Sequence, residues 1–234
     1  LSDNPRQELR DLVAGLKTFL EFQGRLGWAG TTRPEKSMSP PQKSAGPDRP
    51  TLEEIRQEMG DCRRCKLGKS RTHLVFGEGS PQARLMFIGE APGAEEDRQG
   101  RPFVGEAGQV LNNMLHKLGL KREDVYITNI VKSRPPGNRD PEADEVEACL
   151  PFLIKQIESI QPQVIVTLGK IATNNLLDIN EPITKIRGQW RKFKGIKVMP
   201  TFHPSYLHRF PKERHKTWQD MQQVMEYLAT HEED

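Results

Sequence analysis

Apolar residues in this chain fall into two kinds of run. Leu85-Met86-Phe87-Ile88, Val125-Tyr126-Ile127-Thr128 and Val164-Ile165-Val166-Thr167-Leu168 are short, nearly continuous blocks. Each stops at a glycine or an asparagine. The pattern predicts buried strands at 84–89, 125–129 and 164–168, with a fourth at 196–201. Elsewhere apolar positions recur at helical spacing, which predicts helices at 51–60, 106–119, 142–160, 170–177 and 212–229. Strands alternating with helices imply an α/β fold: a three-layer α/β/α sandwich with a central, mostly parallel four-stranded sheet.

The first fifty residues read differently. Within residues 5–23, Leu9, Leu12, Val13, Leu16, Phe19 and Leu20 share one helical face. From Gly24 to Pro50 the chain is rich in Gly, Pro, Ser and Thr, as flexible linkers are. This gives an N-terminal helical appendage (1–23), a linker (24–50) and one domain (51–234). The apolar stripe of residues 5–23 suits docking on the domain or an unknown protein partner equally well. One domain with a single functional edge is expected to be a monomer.

With 234 residues and a mean hydropathy of −0.70, the chain can bury a core and stay soluble. No apolar run reaches the length of a membrane span, so no membrane association is expected. Leu1-Ser2-Asp3-Asn4 is not a basic-then-apolar leader. Three cysteines do not make a disulfide framework, so a reducing cytoplasm is the expected location. The net charge of +3 conceals an asymmetry: Lys185–Thr217 holds ten Lys or Arg residues and one acid, Glu213. That density suits a polyanionic partner, and a solvated basic surface is the alternative.

Each strand ends at chemically useful residues. The first opens into Gly89-Glu90-Ala91-Pro92-Gly93, the second into Asn129, the third into Gly169-Lys170, the fourth into Phe202-His203-Pro204-Ser205. Ligands of open α/β sheets bind beyond the carboxyl ends of the strands. Parallel strands share that edge, so Glu90, Asn129 and His203 are expected to meet in one cleft.

These segments, with Gly100–Gly105, the run Lys132–Pro141 (KSRPPGNRDP) and His203-Pro204-Ser205-Tyr206-Leu207, resemble the uracil-DNA glycosylase superfamily. The resemblance is closest to its iron–sulfur-containing family 4 and covers Asp61 to Leu228. It implies hydrolysis of the N-glycosidic bond of uracil in single- or double-stranded DNA, at the start of base excision repair. The target base must leave the stack for a pocket. By resemblance, Gly89, Ala91 and Gly93 form the uracil loop and Phe103 the aromatic wall. Asn129 becomes the base reader, since one amide can meet both the N3–H donor and the O4 acceptor of uracil. Glu90 positions or polarises the attacking water; many superfamily members carry an Asp one position later, where this chain has Ala91. His203 donates to the departing O2, Asn138 supports catalysis, and Glu96 crowds the C5 edge to exclude thymine. Ser205, Tyr206, Leu207, His208, Arg209 and Arg134 face DNA, with Leu207 or its neighbours filling the vacated stack.

Cys62-x-x-Cys65 has metal-clamping spacing, and Cys149 is the third cysteine. The resemblance implies a structural [4Fe–4S] cluster with four cysteine ligands, but its remaining position here is Ser133. A serine oxygen is a harder ligand than thiolate. This leaves open an oxygen-ligated cluster, a three-iron cluster, a cluster lost on purification, or zinc through Cys62, Cys65, Cys149 and His73. A different class of function, a non-catalytic DNA-binding or scaffold protein, fits the Ser133 departure but not the intact Glu90, Phe103, Asn129 and His203. No G-x-x-x-x-G-K-[ST] loop supports a nucleotide hydrolase. No step calls for a Schiff base, so Lys132 and Lys170 read as phosphate contacts or helix-start charges.

Overall fold

The computed structural model describes residues 49–231. The appendage and nearly all of the linker lie outside the described residues. The domain opens with helix α1 (Leu52–Met59), which Thr51 and Glu54 start as a reciprocal cap. Strand β1 (Glu78–Gly79), strand β2 (Leu85–Gly89), helix α2 (Ala94–Gln99) and helix α3 (Glu106–Lys117) follow. Next come β3 (Tyr126–Asn129), α4 (Ala143–Ile160), β4 (Val164–Leu168) and α5 (Lys170–Leu177). The chain closes with α6 (Ile183–Ile186), β5 (Arg191–Phe193), β6 (Ile196–Thr201), α7 (Pro204–Arg209) and α8 (Arg214–Thr230).

All four expected strands form, and they lie parallel in the order β3-β2-β4-β6. The sheet has six strands rather than four, because β1 and β5 pair antiparallel on its two edges. β1 has only two residues, and β5 reads Arg-Lys-Phe, so neither carries an apolar strand pattern. Their short length and polarity suit sheet edges. α2, α6 and α7 were also not expected; each is at most six residues, too short for apolar spacing to show.

The strands are buried on both faces, as a parallel sheet requires. Phe87, Ile127, Val166 and Met199 pack against Leu111 and Leu115 of α3 and Met221 and Val224 of α8. Met86, Tyr126, Ile165 and Val198 point the other way, against Leu153 and Ile157 of α4 and Leu176 of α5. This is the three-layer sandwich. No helix among the described residues is long and apolar enough to cross a membrane. From β2 the chain turns outward to β3, and from β4 outward to β6. The carboxyl ends of β2 and β4 therefore flank the point where a doubly wound sheet forms its crevice.

Ile165 is fully buried at the centre of the sheet. Ile165→Ala is expected to cost about 2–5 kcal/mol in urea unfolding. A loss well under that range would mean the two helical layers close over the gap.

Candidate active site

β2 and β3 end side by side, with Gly89 opposite Asn129. Beyond the ladder the Ile130 N–H donates to the Gly89 carbonyl at 2.9 Å and the Val131 N–H to that of Glu90 at 3.1 Å. A methyl group on Gly89 would stand 2.4 Å from both Asn129 Oδ1 and Phe103 Cζ. Only glycine lets that amide and that ring close over the strand end. Asn129 Oδ1 is buried and has no hydrogen-bond partner among the described residues. A buried acceptor left unmet costs about 1–3 kcal/mol. A ligand that brings the missing donor accounts for it.

Phe103 takes a left-handed backbone conformation, φ 51°, unusual for a bulky residue. Arg122 holds it there. Its Nη1 donates to the Phe103 carbonyl at 3.1 Å and its Nη2 to that of Pro102 at 2.6 Å. Glu78 on β1 accepts from Arg122 Nε at 2.7 Å, so the edge strand anchors the pocket wall. Neither Glu78 nor Arg122 carried a motif that could have marked it in the sequence. Glu96 braces the same wall. Its Oε2 accepts from Gly93 N–H at 3.1 Å, and its Oε1 from the Val104 and Gly105 N–H groups at 2.9 Å each. The resemblance sets Glu96 at the C5 edge of the ring. Any such contact is made by a carboxylate already bound to three main-chain donors.

His203 caps α7. Its Nδ1 accepts from the Ser205 N–H at 3.1 Å and lies 2.7 Å from Ser205 Oγ. A main-chain N–H can only donate, so the neutral ring carries its proton on Nε2. Burial pushes the His203 pKa down to about 4, with nearby Arg209 adding to it and Glu96 opposing. The ring is therefore neutral at neutral pH, its centroid 5.9 Å from that of Phe103. At the end of β4, Gly169 has φ +92°, and a Cβ there would approach that of His203 to 2.9 Å. Thr201, two residues before His203, donates to buried Asp220 at 2.6 Å, and Arg187 pairs with the same carboxylate. That fixes where β6 releases the His203 loop.

Glu90 is shifted the opposite way. Burial, with the nearby Asp140 charge second, pushes its carboxyl pKa up to about 7. Asp140 is a neighbour that sequence reasoning missed, although it belongs to the Lys132–Pro141 run. Ala91 packs half-buried against the core. Asn138 is exposed with φ 56°, and its Oδ1 accepts from Arg134 Nε at 2.8 Å. These two expected site residues thus bond to each other on a surface turn.

On the expected DNA side, Leu207 is 3% exposed and packs inside the domain, while its neighbours His208 and Arg209 face outward. The helical turn of α7 points it inward. Ser205 and Tyr206 are half-buried, and His208 and Arg209 are exposed. Phe202, Tyr206 and Phe210 form an aromatic ladder with centroids 4.9 and 4.8 Å apart. Phe210 ends it, 50% exposed, the one large hydrophobic residue so exposed among those described.

The three cysteines are free and half-buried. Cys149 Sγ accepts from the Lys132 N–H at 3.2 Å, and Arg64 Nη1 lies 3.3 Å from Cys62 Sγ. Burial pushes the Cys149 thiol pKa up; charge on nearby Cys65 and Cys62 acts the same way, against Lys132. Ser133 Oγ accepts from Arg71 Nη1 at 3.2 Å, and the same Nη1 donates to the Cys62 carbonyl at 2.6 Å. Arg71 thus joins Cys62 to Ser133, and Lys132, next to Ser133, meets Cys149. His73 is not among them: its Nδ1 faces the Asp97 carbonyl at 2.9 Å. Among the described residues no three Cys, His, Asp or Glu side chains converge as they do around a single metal ion.

Residues 76–229 match the uracil DNA glycosylase superfamily. The type-4 uracil-DNA glycosylase of Sulfurisphaera tokodaii is 47% identical over 189 residues, 77% of this chain and 86% of that protein. That of Saccharolobus solfataricus is 47% identical over 188 residues, 76% and 87% of the two chains. That of Thermotoga maritima is 49% identical over 162 residues, 68% and 83%.

The Glu90 environment has a consequence for stability. A carboxyl group whose pKa is raised by folding favours the folded state while protonated. That contribution is complete below the ordinary value of 4.5 and gone above about 7. Glu90→Gln is therefore expected to raise Tm at pH 8 and to leave it unchanged at pH 4. A Tm difference independent of pH would contradict the half-buried, uncompensated carboxyl.

Proposed function

Because this chain belongs to the uracil DNA glycosylase superfamily, we propose that it releases uracil from DNA by hydrolysing the N-glycosidic bond. The observation that carries the reading is the unmet acceptor Asn129 Oδ1 beside Gly89 and the Phe103 ring. Uracil brings an N3–H to that oxygen. Cytosine brings a lone pair there, and a pocket built for one pattern rejects the other strongly.

The reaction follows from the protonation states. The flipped ring lies against Phe103 with N3–H on Asn129 Oδ1. The C1′–N1 bond breaks, its electron pair goes to uracil, and negative charge grows on O2. His203 Nε2–H donates to that oxygen. A neutral donor keeps its proton and stabilises the charge by a hydrogen bond. Ionised Glu90 stabilises the sugar cation, and water attacks C1′ while Glu90 takes its proton. Glu90 gives that proton up to solvent and the departing uracil anion takes one from it, so free uracil and an abasic site result with no covalent enzyme–DNA bond. The shared buried setting of these groups favours this over a DNA-binding scaffold.

DNA is held by charge on and around α7, where His208 and Arg209 are exposed; of the basic segment, Arg187 is committed to Asp220, Lys194 to Glu158 and Lys216 to Glu213. With Leu207 buried, exposed Phe210 is the apolar group we assign to stack on the bases beside the vacated site. Its ladder to Tyr206 and Phe202 gives it a rigid base.

The same family reading brings an iron–sulfur cluster, and the residues fit one. Three thiols are supplied by Cys62, Cys65 and Cys149, and Ser133 offers a harder oxygen at the remaining corner. An N–H already faces Cys149 Sγ, and Arg71, paired with Asp61, donates to the Cys62 carbonyl and Ser133 Oγ. When bound, the cluster ties the Cys62 segment and the Ser133 loop to α4 and supplies no reacting atom. Thiol ligation suits a reducing compartment.

Incubation of the purified chain with a uracil-containing oligonucleotide is expected to release free uracil, and Glu90→Ala to abolish release with DNA affinity retained. DNA binding without release would favour the scaffold reading. For the parent, kcat/KM should rise with pH through about 7 as Glu90 ionises, with no fall from His203, which stays neutral above about 4. Phe210→Ala should weaken DNA binding by about tenfold, the scale of one base–aromatic stack. An unchanged Kd would remove Phe210 from the interface.

A further inference from the structure

Lys132 is 1% exposed, yet its hydrogen bonds involve no carboxylate. Nζ donates to Thr128 Oγ1 at 2.5 Å and to the Asn129 carbonyl at 2.7 Å. The Thr128 hydroxyl is set to receive it, because its own proton goes to the Phe76 carbonyl at 2.9 Å. Gln156 Nε2 donates to that same carbonyl at 3.0 Å and so fixes the arrangement from α4. Burying a lysine amine is costly, and an apolar side chain would fill the space without that cost. The cost points to a role beyond packing.

The two bonds show what the lysine does. Asn129 is the last residue of β3, where pairing with β2 ends. Its carbonyl is held by Lys132 Nζ, and its peptide plane is thereby fixed just where the side-chain amide must stand over Gly89. The main chain of Lys132 is fixed at the other side. Its N–H donates to Cys149 Sγ at 3.2 Å, and its carbonyl accepts from Val75 N–H at 2.8 Å. One residue thus touches a cysteine with its backbone and the back of the base reader with its side chain.

We propose that Lys132 is a positioning residue for base recognition: by holding the Asn129 carbonyl it sets the side-chain amide for the uracil edge, and it makes that setting depend on the Cys149 corner. The inference rests on the uracil reading of Asn129.

The test uses Lys132→Met, which is one atom shorter, unbranched and without a side-chain donor, and Lys132→Gln, which keeps an amide donor. Four quantities are measured: uracil release, inhibition by free uracil, affinity for abasic-site DNA, and Tm. Lys132→Met is expected to raise the inhibition constant of free uracil about tenfold, the scale of losing one hydrogen bond. Lys132→Gln should raise it less. Affinity for abasic-site DNA, which leaves the base pocket empty, should stay within about twofold. In an Asn129→Ala background, Lys132→Met should have no further effect on the free-uracil constant. A purely structural lysine would lower Tm without that dependence on Asn129. A folded Lys132→Met protein with the parental uracil constant overturns the proposal. So does an equal loss in the Asn129→Ala background, or failure of both variants to fold. Absence of uracil release from the parent would fault the glycosylase reading instead. Release by the parent with an unchanged constant in the variants faults only Lys132.

Discussion

The site depends on one missing atom. At Gly89 there is no Cβ, and the space it would fill is shared by the Asn129 amide and the edge of Phe103. Every other element of the pocket serves that close approach. β1 supplies Glu78 to hold Arg122, Arg122 holds Phe103 in an unfavourable backbone conformation, and Glu96 ties the loop beyond Gly89 to the wall. A fold that places two flat groups over a strand end can take a flat ring between or beside them. Most of the effort in this domain goes into keeping that narrow space from collapsing.

Burial then sets the chemistry, and it does so in opposite directions on the two ionisable groups. It raises Glu90 toward neutrality and lowers His203 below it. The charged form of each is disfavoured for the same reason, loss of water. The results differ usefully: a carboxylate poised to change its proton near pH 7, and an imidazole that donates a hydrogen bond without carrying charge. The Ser205 N–H completes the arrangement by assigning the histidine proton to Nε2.

The sheet and the cleft were legible in the sequence because buried parallel strands are continuous apolar runs. Their ends at Gly89, Asn129, Gly169 and the His203 loop could be read off directly. Gly89 lies against Asn129 and Phe103, and the Phe103 ring stands beside that of His203. What stayed hidden depends on direction and on long-range contact. Edge strands β1 and β5 carry no apolar signature. Leu207 or its neighbours were expected to face the stack, and the letters do not show that the turn of α7 buries Leu207 and leaves Phe210 outside. Glu96 was expected at the ring, and nothing in a string of letters shows that three main-chain donors hold its carboxylate. Lys132 read as a surface charge because lysine is almost never buried. Residues 1–48, with their apolar stripe, lie outside the described structure.

The Glu96 carboxylate has one more consequence. Three amide hydrogens, those of Gly93, Val104 and Gly105, end on its two oxygens. These belong to two separate loops and to the start of α3. Such amides cannot fluctuate independently, because each is restrained through the others by a single rigid carboxyl plane. The two loops at the mouth of the pocket are thus tied to one another through a single side chain.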